Sequence, residues 1–349
     1  MSGDIIRIGF VPLVDCALLA VAQEQGFFAR QRVDVELRKA QSWGQVRDKL
    51  QTGELDASHV LLTMPLQAAL AARGTAPILY AFTLSRNGNG IILSNALWNE
   101  GMRDGSGLAK WMSAKPGAPV RLGVVFPRGT QEYFLRSWLA RGGLALGDRI
   151  TLSIIPPQEM VGRLRKGEID GFCAGEPWTR RAAASKLGRL VSESGALLPG
   201  LGEKVVGVRA DWHRGHTLEH ARLIRALAQA STWMADPGNF EAAVDIVASK
   251  RYVNTPRTVV EGALRDAQAR LLPTAQSVLS RFLEGDLHAP AQSHARWYLD
   301  QMALWGHADP AATAALDLAS VCLETFHHSA TATAQSPAAP AVAGLPARA

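Results

Sequence analysis

The chain has 349 residues, of which 47% are hydrophobic and 19% charged, and it carries a formal net charge of +6. That composition supports a sizeable core but makes the chain long for one compact sheet, so two lobes are expected. No apolar run approaches the roughly 18 residues of a membrane helix, and the arginine-dominated charge is scattered without the basic, aromatic-studded stripe of a nucleic-acid surface; neither a membrane nor direct nucleic-acid contact is expected.

In chain order, residues 5–11 read as a strand, 16–25 as a helix closed by Gly26, 33–37 as a second strand, 45–51 as a helix closed by Gly53, and 55–61 as a third strand. Short connections between alternating elements are the signature of an α/β fold. The same order recurs: strand 120–126, helix 131–140, strand 150–155, helix 160–166 stopped by Gly167, and strand 169–174. Arg7-Ile8-Gly9 matches Arg121-Leu122-Gly123, and Gly53-Glu54-Leu55-Asp56 matches Gly167-Glu168-Ile169-Asp170, both at an offset of 114. Two copies of one βαβαβ unit imply two α/β lobes with a ligand cleft beyond the carboxyl ends of their strands.

Extended runs at 87–93 and 205–208 are expected to pair as crossover strands and act as a hinge. The resulting division places the first part of lobe I at 5–90, lobe II at 91–206, a mainly helical return to lobe I at 207–327, and a disordered tail rich in Ser, Ala, Thr and Pro at 328–349. Cys16, Cys173 and Cys322 are odd in number and lack CxxC spacing, which argues against a disulfide or zinc framework. Met1-Ser2-Gly3-Asp4 leads into the first strand without a signal-peptide pattern, so the expected location is the cytoplasm. No nucleophile elbow, phosphate loop or dinucleotide fingerprint is present, and no enzyme activity, cofactor or metal is expected.

Ile8-Gly9-Phe10-Val11-Pro12, Gly26-Phe27-Phe28-Ala29, Ser42-Trp43, Met64-Pro65, Gly88-Asn89-Gly90-Ile91, Phe126-Pro127 and Gly175-Glu176-Pro177-Trp178 resemble the nitrate and bicarbonate solute-binding proteins of ABC transporters. The resemblance implies a type II periplasmic-binding-protein fold, with two lobes and a two-strand hinge, closing on a small planar oxyanion. The run from Gly171 to Trp178 is most similar to the cytoplasmic nitrate and nitrite sensors of that family. It implies a regulator of nitrate assimilation that takes nitrate or nitrite and releases an antiterminator partner. The alternative is the substrate-binding component of a nitrate- or bicarbonate-type ABC transporter.

An oxyanion offers only acceptors, so its site needs N–H or hydroxyl donors and a cation. Helix starts near Asp15, at Thr63-Met64-Pro65, at Gly129-Thr130-Gln131 and at Glu176-Pro177-Trp178 supply such donors, with Pro65 and Pro177 expected at first helical positions. The resemblance puts Asn87 in place of a glutamine, keeps Gly88, and puts Arg265 in place of a lysine, while Val60 and Val125 stand where transport proteins have a tryptophan and a histidine. The candidate ligand-binding residues are Asn87, Gly88, Arg265, Thr130, His59, Trp43, Glu176 and Trp178. His213, His216 and His220 read as an exposed cluster at a loop-to-helix junction, and His327-His328 as residues leading into the tail.

Overall fold

The computed structural model describes residues 4–71, 74–147, 149–271 and 286–332. Its strands are β1 (Ile6–Phe10), β2 (Val35–Lys39), β3 (Ala57–Leu61), β4 (Ile78–Arg86), β5 (Asn89–Ser94), β6 (Val120–Val124), β7 (Ile150–Ile154), β8 (Gly171–Gly175), β9 (Gly188–Glu193) and β10 (Gly202–Arg209). They form two sheets of five strands, in the orders β2-β1-β3-β10-β4 and β7-β6-β8-β5-β9. β1, β2 and β3 pair in parallel, as do β6, β7 and β8. The fourth strand of each sheet, β10 or β5, runs antiparallel to both neighbours.

The repeat seen in the sequence is a repeat of bonds. Arg7 grips Asp56 with Nε at 2.9 Å and Nη2 at 2.6 Å, while the Arg7 backbone N–H donates to the same carboxylate at 2.9 Å. In lobe II Arg121 grips Asp170 in the same fork, at 3.0 and 2.9 Å, and its backbone N–H donates at 2.8 Å. A planar guanidinium matches a carboxylate with two parallel bonds, so each pair fixes the register of the first strand against the third. Ile8 pairs with Ala57 and Leu122 with Gly171 accordingly.

Local chemistry sets the element ends. The Ser42 hydroxyl accepts from the Gln45 N–H at 3.2 Å and caps the helix Trp43–Thr52, which stops where Gly53 adopts φ 79°. The second strand begins two residues later than its apolar run, because pairing in register with β1 sets Val35 opposite Ile6. Strands β4 and β9 were not distinguished in the sequence. β9 lies at a sheet edge with part of its length exposed, and its apolar alternation is correspondingly weak.

The expected pairing of 87–93 with 205–208 is corrected. β5 and β10 lie in different sheets, and the chain passes between lobes at Asn87-Gly88 and again over residues 194–201. Each crossing delivers the antiparallel strand of the next sheet. The two crossings are tied together by Asn87, whose N–H donates to Leu201 O at 2.9 Å, whose amide donates to Leu198 O at 2.8 Å, and whose amide oxygen accepts from Gly200 N at 2.8 Å. Asn87 has φ 57° and Gly88 φ 103°, a left-handed pair that asparagine tolerates and glycine favours.

The return segment packs helices Thr217–Ala235 and Phe240–Ala248 over the helix Ala17–Glu24 of lobe I, through Leu19, Leu223, Leu227 and Val244. Another apolar cluster spans both lobes, joining Leu61, Val60 and Trp43 to Val125, Phe126, Tyr133 and Trp178, so the lobes are closed on one another. The tail expectation is corrected at its start: residues Glu324–Ala332 are helical, with His327 fully buried and bonded to Ala81 O at 2.6 Å and to Asp286. Residues 333–349 of that expected tail lie outside the described residues. The cluster of His213, His216 and His220 is corrected too. His220 is buried beside Phe326 and bonded to His213 at 2.9 Å, and His216 stacks on Trp212, so aromatic packing absorbs these rings. Among the described residues no three His, Cys, Asp or Glu side chains are grouped to hold a metal.

Candidate functional site

The carboxyl ends of β1, β3, β6 and β8 meet across the closed cleft. Val14 N, just after β1, donates to Glu176 O, just after β8, at 2.9 Å. Gln67 Nε2 in lobe I donates to Arg128 O in lobe II at 2.8 Å, and Gln158 Nε2 in lobe II returns a bond to Gln41 O at 2.8 Å. Helices start from these strand ends at Thr63, Thr130 and Trp178. Pro65 is the third residue of its helix and Pro177 caps its own, so neither occupies the expected first position.

Behind the strand ends lies a buried polar cluster with Lys204 at its centre. The fully buried Nζ is 2.9 Å from Glu203 Oε2, 3.1 Å from Asp15 Oδ2 and 3.1 Å from Asn89 Oδ1. Burial opposes the charge, but Glu203 and Asp15 outweigh it and hold the Lys204 ammonium above the ordinary lysine range. Asn89, from lobe II, is the hub: its amide donates to Glu203 and its oxygen accepts from Gln131 Nε2 at 3.0 Å as well as from Lys204. The Thr130 hydroxyl lies 3.5 Å from Asn89 Nδ2 and donates to Gln131 Oε1 at 3.2 Å. Gly175 leaves its backbone close over this cluster, since an added Cβ would stand 3.4 Å from Asn89 Oδ1 and 3.6 Å from Lys204 Nζ.

On the lobe I side His59 extends the cluster. It is fully buried, its Nε2 is 3.4 Å from Asp15 Oδ1, and its ring meets Trp43 edge-on with centroids 4.9 Å apart. Burial pushes the imidazole down to about 4; Asp15 works against that and Lys204 with it, so His59 is neutral near pH 7. Neither ring nitrogen of His59 has a hydrogen-bond partner, and the same is true of Trp43 Nε1, Thr63 Oγ1 and Trp178 Nε1. Unsatisfied buried donors are costly and call for an acceptor. Indole N–H, hydroxyl and imidazole N–H groups carried by elements of both lobes can supply a small ligand made only of acceptors.

The structure brings Thr130, Glu176 and Trp178 to these strand ends and sets Trp43 against His59, which lies in the middle of β3 beside Asp15. Asn87 and Gly88 sit at the crossing instead, and the Asn87 amide is consumed by Leu198 and Gly200. Both line a cavity of about 180 Å³ beside Asp15 and Glu176. Arg265 lies apart, on the exposed face of the helix Arg257–Leu271, where it pairs with Glu261 at 2.9 Å and lies over the Phe240 ring. Its neighbour Leu264 lines that cavity and Arg265 does not. Val60 and Val125 are buried in the apolar cluster that draws on both lobes. Sequence reasoning missed Lys204 and Glu203 at the heart of the cluster, used Asp15 and Gln131 only to mark helix starts, and quoted Asn89 only within a motif.

Two α/β lobes linked by bonded crossings, with buried unpartnered polar groups between them, define the two-lobed fold class of the solute-binding proteins. The chain belongs to the NMT1-like family, whose pattern matches residues 4–248. It is 31% identical over 326 residues to the nitrate/nitrite binding protein NrtA of Synechococcus elongatus, covering 88% of this chain and 73% of that one. It is 33% identical over 304 residues to the bicarbonate transport ATP-binding protein CmpC of Synechococcus elongatus, covering 86% of this chain but 45% of that protein's length. The crystal structure of the periplasmic nitrate-binding protein NrtA from Synechocystis superposes with a TM-score of 0.84 at 26% identity, covering 95% of this chain and 89% of that one. The fold is therefore that of the periplasmic binding proteins.

Proposed function

We propose that the chain is the solute-binding component of a nitrate- or bicarbonate-type ABC import system, its closed cleft taking a small planar oxyanion. The observation that supports this most directly is the set of buried donors without partners, Trp43 Nε1, His59, Thr63 Oγ1 and Trp178 Nε1, carried by elements of both lobes. A small oxyanion, whose free oxygens accept hydrogen bonds, satisfies them and thereby favours closure over opening. The NrtA relatives, which bind nitrate and nitrite by name, agree with that ligand class. Calorimetric titration with nitrate, nitrite, bicarbonate and formate tests it. The expected result is binding of at least one of them below the millimolar range; if none binds there, the reading falls.

The sensor reading differs in place and partner: a cytoplasmic protein that releases an antiterminator when the anion binds. It is supported by the similarity of the run Gly171 to Trp178, and by the recurrence of this module within longer ATP-binding proteins, where it is not a free-standing binding protein. Release by nitrate requires a partner that prefers the open lobes. A nitrate-dissociable complex with an antiterminator would establish it.

A further inference from the structure

The interlobe cluster is short of positive charge. Two carboxylates, Asp15 and Glu203, face one ammonium, Lys204, which is already within 3.1 Å of both. A monoanion entering beside them meets a formally negative, water-excluded site, and burying a further uncompensated charge costs so much that a neighbouring group changes protonation instead. His59 stands where that can happen. The groups facing it are Trp43 from its helix, Asp15 from the segment before the helix Ala17–Glu24, Lys204 from β10 with Glu203 beyond it, and the Val11 backbone at the end of β1. Lobe II contributes the neutral Asn89, Thr130 and Gln131 to the cluster. As an imidazole His59 offers one N–H; as an imidazolium it offers two. Nε2 already lies 3.4 Å from Asp15 Oδ1, which has no hydrogen-bond partner, and the Val11 backbone faces the same ring, so both N–H groups of an imidazolium have an acceptor beside them.

We propose that His59 takes up a proton from solvent as an anion enters the cleft, so that the site holds a small oxyanion together with a proton and the Asp15–His59 pair selects monoanions over dianions. This rests on the anion-binding reading above. No bond within the anion is made or broken: imidazole, proton and ion become an imidazolium–ion pair. In the empty site burial keeps the proton off at neutral pH, and the ion reverses that balance. A dianion such as sulfate requires a second proton for which this cluster offers no second imidazole, and it is excluded.

The test is calorimetric titration of the full chain with nitrate at pH 7 in bis-Tris, imidazole and triethanolamine chloride buffers, which differ in ionisation enthalpy and contain no oxyanion. The expected heat varies linearly with that enthalpy, with a slope approaching one proton taken up per nitrate, and sulfate does not bind. In His59→Gln the slope falls towards zero and nitrate binding becomes nearly independent of pH between 6 and 8. Asp15→Asn leaves the imidazole in place and checks the same point without altering the buried ring: its proton uptake falls well below one. Nitrate binding with heats independent of buffer overturns the proposal, as does proton uptake that persists unchanged in His59→Gln. Failure of nitrate, nitrite, bicarbonate and formate to bind at all overturns the anion reading itself.

Discussion

Replacing Lys204 with methionine isolates the electrostatics of the cluster. Methionine preserves most of the stem volume in a site with no exposed surface but leaves Asp15 and Glu203 without the ammonium that lies 3.1 and 2.9 Å away. Removing one partner of a buried ion pair costs about 3–5 kcal/mol, because the remaining charge is buried and uncompensated. Whole domains are stable by only about 5–15 kcal/mol, so the loss is about a fifth of the total or more. With a urea slope of about 2 kcal/mol/M, the unfolding midpoint falls by about 2 M. The Lys204 pKa is raised in the folded protein, so its stabilisation is complete below the unfolded value of about 10.4 and is lost only as pH rises through the folded one. Urea unfolding at pH 7 followed by tryptophan fluorescence therefore sees it in full. The double variant Lys204→Met with Glu203→Gln removes one excess carboxylate and recovers part of the loss. A single variant within about 1 kcal/mol of the parent, or a double variant less stable than the single one, refutes the reasoning.

Trp43→Phe keeps an aromatic ring against His59 but removes the unpartnered indole N–H; a hydrogen bond to a charged ligand contributes about 1.5–3 kcal/mol, so nitrate affinity falls tenfold or more by calorimetry, while the packing lost by the smaller buried ring is read separately as a lower melting temperature. Gly142→Ala places a Cβ 2.3 Å from the Gly105 backbone, where neither chain can yield easily, and is expected to cost about 1–3 kcal/mol in denaturant unfolding. Arg7→Met destabilises more than Arg121→Met, because the Asp56 carboxylate is better shielded than that of Asp170; the difference is checked by paired urea melts and shrinks in high salt. The histidines set an acid limit. His59 and His220, held by burial at about 4 and about 3, stay neutral in the folded protein while unfolded histidine takes its proton near 6.5, so stability is full above about pH 6.5 and falls on acidification. Each contributes a slope of up to about 1.4 kcal/mol per pH unit between about 6.5 and its folded value, measurable by urea melts at pH 7, 6 and 5.

The two-lobed architecture was legible in the sequence because its causes are local and occur twice. Strand and helix periodicities, the glycine stops at Gly53 and Gly167, and the Arg–Asp pairs at one offset all survive without knowledge of what packs on what. The elements that carry His59, Trp43, Thr130 and Trp178 were legible for the same reason, since strands and helix starts can be placed from pattern alone. Arg265 shows the limit of correspondence by position: on its own helix it turns to Glu261 one turn earlier and away from the cavity that Leu264 lines.

The cluster itself could be decided only by the tertiary structure. Consecutive strand residues point to opposite faces, so Glu203-Lys204 reads in sequence as one inward and one outward charge at the start of an ordinary strand. The register of β10 against β4 shifts on both sides of Lys204, an irregularity that leaves Glu203 and Lys204 both buried and in contact with each other. Asn89 from the other lobe then joins them, and Asp15 from the segment after β1 completes the set. Periodicity in one segment carries no information about contacts from four separate ones, and it is those contacts that fix the charge of the cleft and what it can hold.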